Sequence, residues 1–500
     1  NYEFKLTDLL VNNGFRYSLF IPENFMNKNI IIPTKFSYTL LSKYKYPLIK
    51  RKVLQGSSAE NPKKILKYIK KQNIELYNII INNNIINHTE NNEYINDLVT
   101  IHNNYKQKLE IIKNQDKINI LFMVNMASMF PAESLMNLLE KDNNYKIHLY
   151  VIPDVRFSKE ENFRILIDTY NELKSKYSYT KLAVSVNMDT NEIIEYKNIM
   201  LDKDIVCFPS PYDVSYSIYN PYYAVLNNIL SIHINYGFFR SIYDRYIYAL
   251  DNYNSFWKVF LETDINYKEY KTYGRCDALN AEIVGYAKMD KLYTYLQNAK
   301  PRNKKCIIIA PHHSIDGGMN KILSLSNFEK YADFFLELPQ KYPNIDFVFR
   351  PHPVLFTVLR KNNKWGEEKV NNYISKMKSY SNITYSTEGD YLEIFANSDG
   401  IIQDSGSFLV EYFYTFQPCC YMLKSHNDIN EKFNKLGVKC LEHVYIAYNE
   451  ENIIDFIDNV ILNSNDYLVN IRNEFTNKIM VNYPQANEKI KHIIGEICLK

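Results

Sequence analysis

The sequence predicts an α/β protein in which two doubly wound, Rossmann-like domains face a cleft, preceded by an N-terminal, mainly helical region. Three observations lead there. Apolar runs without alternation, such as Ile118–Val124 and Cys306–Ala310, read as strands buried on both faces, the mark of a parallel sheet. Helical patterns alternate with these runs, so the connections are βαβ crossovers. The polar stretch 297–305, with Pro301, divides the runs into two sets and reads as a linker.

The expected divisions are an accessory region over 1–115, a first Rossmann-like domain over 116–300, a second over 301–465, and C-terminal helices over 466–500. In the accessory region, Asn61-Pro62 opens a helix: Asn61 can cap, Pro62 suits a first turn, and Ile65, Leu66 and Ile69 follow at helical spacing. The segment 73–86 fits strand or helix, and 94–115 reads as helix. The first domain should begin with the strand Ile118–Val124, followed by Lys146–Ile152, Leu182–Val186 and Ile205–Phe208, with an amphipathic helix over Phe163–Lys176. Ile232-His233-Ile234 reads as a strand entering the loop Asn235-Tyr236-Gly237, and 281–290 as strand, glycine turn and helix start. In the second domain, Cys306–Ala310, Ile345–Phe349 and Gly400–Gln403 are strands, and Asp466–Met480 and Ala486–Leu499 are closing helices. Two such domains with a ligand crevice between them form the architecture called GT-B.

Composition narrows the function. With 500 residues and 46% hydrophobic content, the chain can bury a sizeable core and is not a disordered protein. A net charge of +3 argues against a nucleic-acid partner. The charge is uneven: residues 1–115 carry about +8, with clusters at Lys50-Arg51-Lys52 and over Lys63–Lys71, and the remainder carries about −5. Those clusters suit a solvated helix face, or a surface that meets anionic lipid. The seven cysteines are scattered with no CxxC pair, which is expected of reduced core thiols in a cytoplasmic protein, without a disulfide frame or zinc site. No signal peptide is visible, and no apolar run approaches the ~18 residues that span a bilayer. A start at Asn1 is expected of a piece of a longer protein.

Chemistry-bearing residues collect at three strand ends of the second domain, where parallel sheets bind their ligands. Gln403-Asp404-Ser405-Gly406-Ser407 stands between a strand and a helix; backbone N–H groups there suit an anion, and Gly406 allows close approach. A plain serine cap would also place Ser405 or Ser407. Glu411 falls one position late for a capping box and suits ribose hydroxyls. Arg350-Pro351-His352-Pro353 holds an imidazole on a stiff turn, able to donate to a phosphate oxygen, with Arg350 as a second cation or a surface ion-pair partner. Pro311-His312-His313-Ser314 supplies two more histidines, too few ligands for a metal site. In the first domain, His233 suits a satisfied core histidine or a base facing the cleft, and Asp213 lies in a second polar loop.

The second domain resembles the CDP-glycerol glycerophosphotransferase family, whose members build teichoic-acid-like polymers. The resemblance rests on Gly285-Tyr286-Ala287-Lys288-Met289-Asp290, Ala310-Pro311-His312-His313-Ser314-Ile315, Phe349-Arg350-Pro351-His352-Pro353 and the stretch from Ser398 to Tyr412, in family order. It implies a GT-B fold whose second domain takes a CDP-activated donor, with His352 and Ser405–Ser407 on the pyrophosphate and Glu411 near the nucleotide. It also implies a phosphotransferase on the cytoplasmic face of the membrane, acting on a glycan or polyol-phosphate acceptor in teichoic-acid or capsule synthesis. No cofactor is required, although a diphosphate donor can carry Mg²⁺. Where the family has a His-Gly pair in the first domain, this chain has Tyr236-Gly237, which leaves His312, His313, His233 and Asp213 as candidates for the base. Two other readings share these residues: a GT-B glycosyltransferase using a sugar nucleotide, and an inactive scaffold of the same pathway.

Overall fold

The computed structural model describes residues 101, 104–177, 181–196, 198–212, 214–315, 324–387 and 390–499. The expectations for Asn61-Pro62, the segment 73–86, the lysine clusters and Asp213 lie outside the described residues. The architecture is the predicted one: two parallel sheets with helices on both faces.

The first sheet has seven strands: β1 (Ile118–Val124), β2 (Tyr145–Val151), β3 (Lys181–Val184), β6 (Ile205–Phe208), β7 (Leu230–Ile234), β8 (Lys258–Leu261) and β9 (Ala281–Ile283). Their spatial order is β3-β2-β1-β6-β7-β8-β9. The short strands β4 (Val186–Asn187) and β5 (Glu192–Ile193) form a separate antiparallel pair. The second sheet has β10 (Lys305–Ala310), β11 (Ile345–Phe349), β12 (Ile383–Tyr385), β13 (Gly400–Gln403), β14 (Cys419–Met422) and β15 (Tyr445–Ala447), in the order β12-β11-β10-β13-β14-β15. In each sheet the order reverses beside the first strand, β1 or β10, and that reversal opens a crevice at the strand ends.

The apolar runs are continuous because each strand feeds two cores. Along β1, Ile118, Ile120, Phe122 and Val124 join one cluster, and Leu121 and Met123 join the other. Along β10, Ile307 and Ile309 face one side, and Ile308 and Ala310 the other. The run 182–186 is cut short by a buried polar contact. Ser185 Oγ lies 2.7 Å from the Tyr150 hydroxyl, and the chain turns there into the β4–β5 pair. The helix expected from Phe163 starts one turn earlier, at Lys159, because Ser158 caps it through the Glu161 N–H. All seven cysteines are buried and unpaired.

Two segments tie the domains together. Residues 240–242 of the first domain run beside 432–434 of the second, with Asn434 N–H donating to Arg240 O (3.0 Å) and Ile242 N–H to Lys432 O (3.1 Å). The last helix, Ala486–Cys498, returns to the first domain and adds Ile490, Ile493 and Ile494 to its core. Among the described residues, no helix is long and apolar enough to cross a membrane.

Candidate functional site

Strand register builds the site. Ile309 pairs with Phe349 and Ala310 with Gln403, so the loops that follow β10, β11 and β13 leave the sheet as neighbours. The structure thereby gathers His312, His313 and His352. Ring centroids are 4.3 Å apart for His312–His313, 4.0 Å for His313–His352 and 5.0 Å for His312–His352. The loops are stitched by backbone N–H donors: His352 N–H donates to Pro311 O (3.0 Å), and His312 N–H to the side-chain Oδ1 of Asp404 (2.6 Å).

Burial, together with mutual repulsion, keeps these rings neutral. Burial takes His352 down to about 3, with His313 and Arg350 as further causes. It also lowers His312 well below the usual histidine range, helped by His313, His352 and Arg240, and lowers His313. One nitrogen from each ring lies within 4.8 Å of the others, a spacing that by distance alone suits a metal ion. The hydrogen bonds favour a different use. Val354 N–H donates to His352 Nδ1 (3.2 Å), so the proton of that neutral ring sits on Nε2. His312 Nδ1 receives the Ser314 N–H (3.4 Å) and lies 2.7 Å from Ser314 Oγ, which itself accepts the Leu325 N–H. A metal-bound imidazole normally donates its second nitrogen's proton to an acceptor. Here Nδ1 of His352 accepts, and Nδ1 of His312 accepts in part, which leaves their Nε2–H groups as donors for an anion. Among the described residues, the buried Nδ1 of His313 has no hydrogen-bond partner.

Asp404 has no exposed surface, and its two carboxylate oxygens accept the N–H groups of His312 and Asn327. It positions the loops, and a ligand has no open route to it. Ser405 begins the helix Gly406–Glu411 without a side-chain cap, and its own N–H goes to Gln403 Oε1 (2.7 Å). Ser407 Oγ faces Gly237: a Cβ there would meet it at 3.5 Å. The Tyr236-Gly237 loop of the first domain therefore lies against this turn.

Glu411 is 1% exposed and sits in a second cluster. Tyr286 Oη donates to its Oε1 (2.8 Å), Tyr391 Oη donates to its Oε2, and Lys288 Nζ lies 3.9 Å from it. Arg350, 7% exposed, donates to Ser386 Oγ (2.7 Å) and stacks over Tyr391, with Cζ 5.3 Å from the ring centroid. Arg350 is thus buried rather than at the surface, and it braces this second cluster beside the histidines. His233 stands apart. It is fully buried, stacked on Phe256 (5.2 Å between centroids), with Nδ1 3.1 Å from Phe208 O.

Arg240, Tyr286, Lys288 and Tyr391 carry parts of the site that motif reading assigned to no role. Tyr286 and Lys288 lie within a quoted motif, and Arg240 three residues after Gly237; Tyr391 has no local signal. Arg240 reaches the Ser405–Ser407 turn from the first domain, where a Cβ on Gly406 would stand 2.8 Å from its Cζ.

No family model matches the sequence, and no curated protein does. Solved structures do match in fold. A putative UDP-N-acetylglucosamine 2-epimerase from Listeria monocytogenes aligns with TM-score 0.50 and 12% identity, over 76% of this chain and 96% of that one. MnaA from S. aureus, in a co-structure with UDP, aligns with TM-score 0.50 and 16% identity, over 76% and 97%. A variant of the wall teichoic acid polymerase TagF aligns with TM-score 0.50 and 13% identity, over 82% and 97%. At these identities the likeness carries the architecture alone: the chain has the two-domain GT-B fold.

Proposed function

We propose that this protein is a transferase that moves glycerol phosphate, or a related polyol phosphate, from a CDP-activated donor to a hydroxyl of a cell-surface glycan or teichoic-type polymer, releasing CMP. The observation that carries this reading is the meeting of His312, His313 and His352 beside the Ser405–Ser407 turn, under a cation from the opposite domain. Neutral N–H donors on loops tied by main-chain bonds suit a diphosphate, because phosphoryl transfer mainly requires positioning and charge neutralisation. In the step, the acceptor oxygen attacks the β-phosphorus and forms the new P–O bond. The bond from that phosphorus to the bridging oxygen breaks, and CMP leaves with the oxygen. The acceptor proton goes to a cleft histidine, for which His313 is our candidate because its Nδ1 is committed to no hydrogen bond among the described residues. The bound diphosphate raises the histidine pKa values again by its own charge, so a ring that is a weak base in the empty site becomes a competent one. The group at the position of the family's His-Gly pair, Tyr236, is 36% exposed, and its neighbour Gly237 lies against Ser407 Oγ.

The sequence resemblance supports the CDP-alditol, and the histidine cluster alone would serve a sugar nucleotide equally well. The test is nucleotide release from CDP-glycerol, CDP-ribitol and common UDP-, GDP- and CMP-sugars, with a crude acceptor extract and with or without Mg²⁺. CMP released only from a CDP-alditol is the expected result. Release only from sugar nucleotides would make the protein a glycosyltransferase. Nucleotide binding without turnover of any donor would make it a scaffold.

A further inference from the structure

We infer that Arg240 is the first domain's own contact to the donor diphosphate, reaching across the cleft to neutralise the phosphate that departs. This deepens the function proposed above and rests on it.

Three features point to Arg240. Its guanidinium lies over Gly406, where any side chain would overlap Nε, Cζ and Nη2, so the glycine of the Ser-Gly-Ser turn makes room for this arginine. Among the described residues, protein groups satisfy little of it: Nη1 reaches Phe238 O at 3.3 Å, and the buried Nε has no hydrogen-bond partner. Asp244, whose charge it feels, has an oxygen engaged by the Ser241 N–H at 2.6 Å. A buried guanidinium donor without an acceptor is costly unless a ligand supplies one. Its position is also fixed. Arg240 O accepts the Asn434 N–H (3.0 Å), and Gly437 is bare beneath that carbonyl, so the backbone is held on the second domain while the side chain points to the turn. Its charge also helps to hold His312 below the usual histidine range. A planar, always-charged fork suits two oxygens of a diphosphate better than a lysine would.

A purely structural role, clamping one domain on the other, would give the same geometry, so the test must separate them. Arg240→Gln and Arg240→Lys are titrated calorimetrically with CDP, UDP, GDP, inorganic pyrophosphate and cytidine, and their thermal melting is recorded. The expected result is a loss of about 10-fold or more in affinity for the diphosphates and pyrophosphate in Arg240→Gln, the size of one charge-assisted hydrogen bond, with cytidine binding unchanged. Arg240→Lys should recover part of it. Gly406→Ala, which displaces the guanidinium without removing its charge, should reproduce the loss. Unchanged pyrophosphate affinity in Arg240→Gln, or an equal fall for cytidine and diphosphates, would overturn the inference. A preference of the wild type for UDP or GDP over CDP would remove the CDP-alditol reading, while the pyrophosphate arm still decides the role of Arg240.

Discussion

Asp404 Oδ1 accepts the backbone N–H of His312 at 2.6 Å, and its other oxygen accepts that of Asn327, so one buried carboxylate sets the loop that bears two of the three clustered histidines. Burial raises its pKa to about 7, against the opposing pull of those two N–H groups. The folded protein then holds a proton that the unfolded chain releases from about pH 4 upward. This contribution to stability is greatest below that range, falls as pH rises towards 7, and levels off above it. In Asp404→Asn the titration is gone, and an amide N–H₂ faces one of the two N–H donors, costing about 1–3 kcal/mol. Urea denaturation at pH 5 and pH 8 checks both parts. The variant should be less stable at pH 5, and the gap to wild type should shrink by about 2–3 kcal/mol, closing or reversing, at pH 8. A constant gap would mean that Asp404 does not take up a proton in this window.

His352→Ala should reduce donor turnover by about 10²-fold or more, the usual size of a lost acid–base or charge-stabilising group. The fold should survive, because the His352 contact that ties the loops is its backbone N–H to Pro311 O, which alanine keeps. Nucleotide release and thermal melting, measured side by side, test this. Full activity in a folded variant would remove His352 from the diphosphate site.

The architecture was legible because buried parallel strands leave a strong trace. Ile118–Val124, Ile205–Phe208, Cys306–Ala310, Ile345–Phe349 and Gly400–Gln403 announce themselves by length, apolarity and bounding turns. The edge strands of the second sheet did not: Ile383–Tyr385 and Tyr445–Ala447 have three residues each, and Tyr-rich flanks blur their ends. The site was legible as three strand ends in one domain, two of them bearing the histidines, since parallel register brings such ends together whatever loops intervene. The roles of individual residues were less so. Ionisable residues beside a turn look alike in sequence, whether they face the cleft like His352 or are consumed by backbone like Asp404. Arg240 was invisible because its meaning comes from the opposite domain, through a glycine 166 positions away.

Tyr286 and Tyr391 both donate to Glu411, one to each oxygen, and Tyr286 comes from the first domain's last strand-to-helix turn. Removing either hydroxyl leaves a buried carboxylate short of a donor, at about 1–3 kcal/mol. Removing both should cost more than the sum, because the first loss is cushioned by the remaining donor and by Lys288 at 3.9 Å. Chemical denaturation of Tyr286→Phe, Tyr391→Phe and the double variant measures the coupling. Strict additivity would show that the two tyrosines do not share the carboxylate.

Gly285 has φ +94°, in the left-handed region, and a Cβ there would run into the Val481 carbonyl, with its carbon at 3.0 Å. Val481 belongs to the segment that carries the chain back from the second domain to the first, just before the helix Ala486–Cys498. Asn482 Nδ2 donates to Val284 O (3.1 Å), and Asn487 Nδ2 to Ala287 O (2.7 Å), so this turn is the dock for the returning chain. Gly285→Ala therefore meets both backbone strain and a main-chain collision, together about 2–4 kcal/mol. The site is damaged as well, because Tyr286 and Lys288 leave the same turn to hold Glu411. The expected outcome is a lower melting temperature together with weaker diphosphate binding, even below the melting transition. Weakened stability with unaltered binding would show that the dock and the Glu411 cluster move independently.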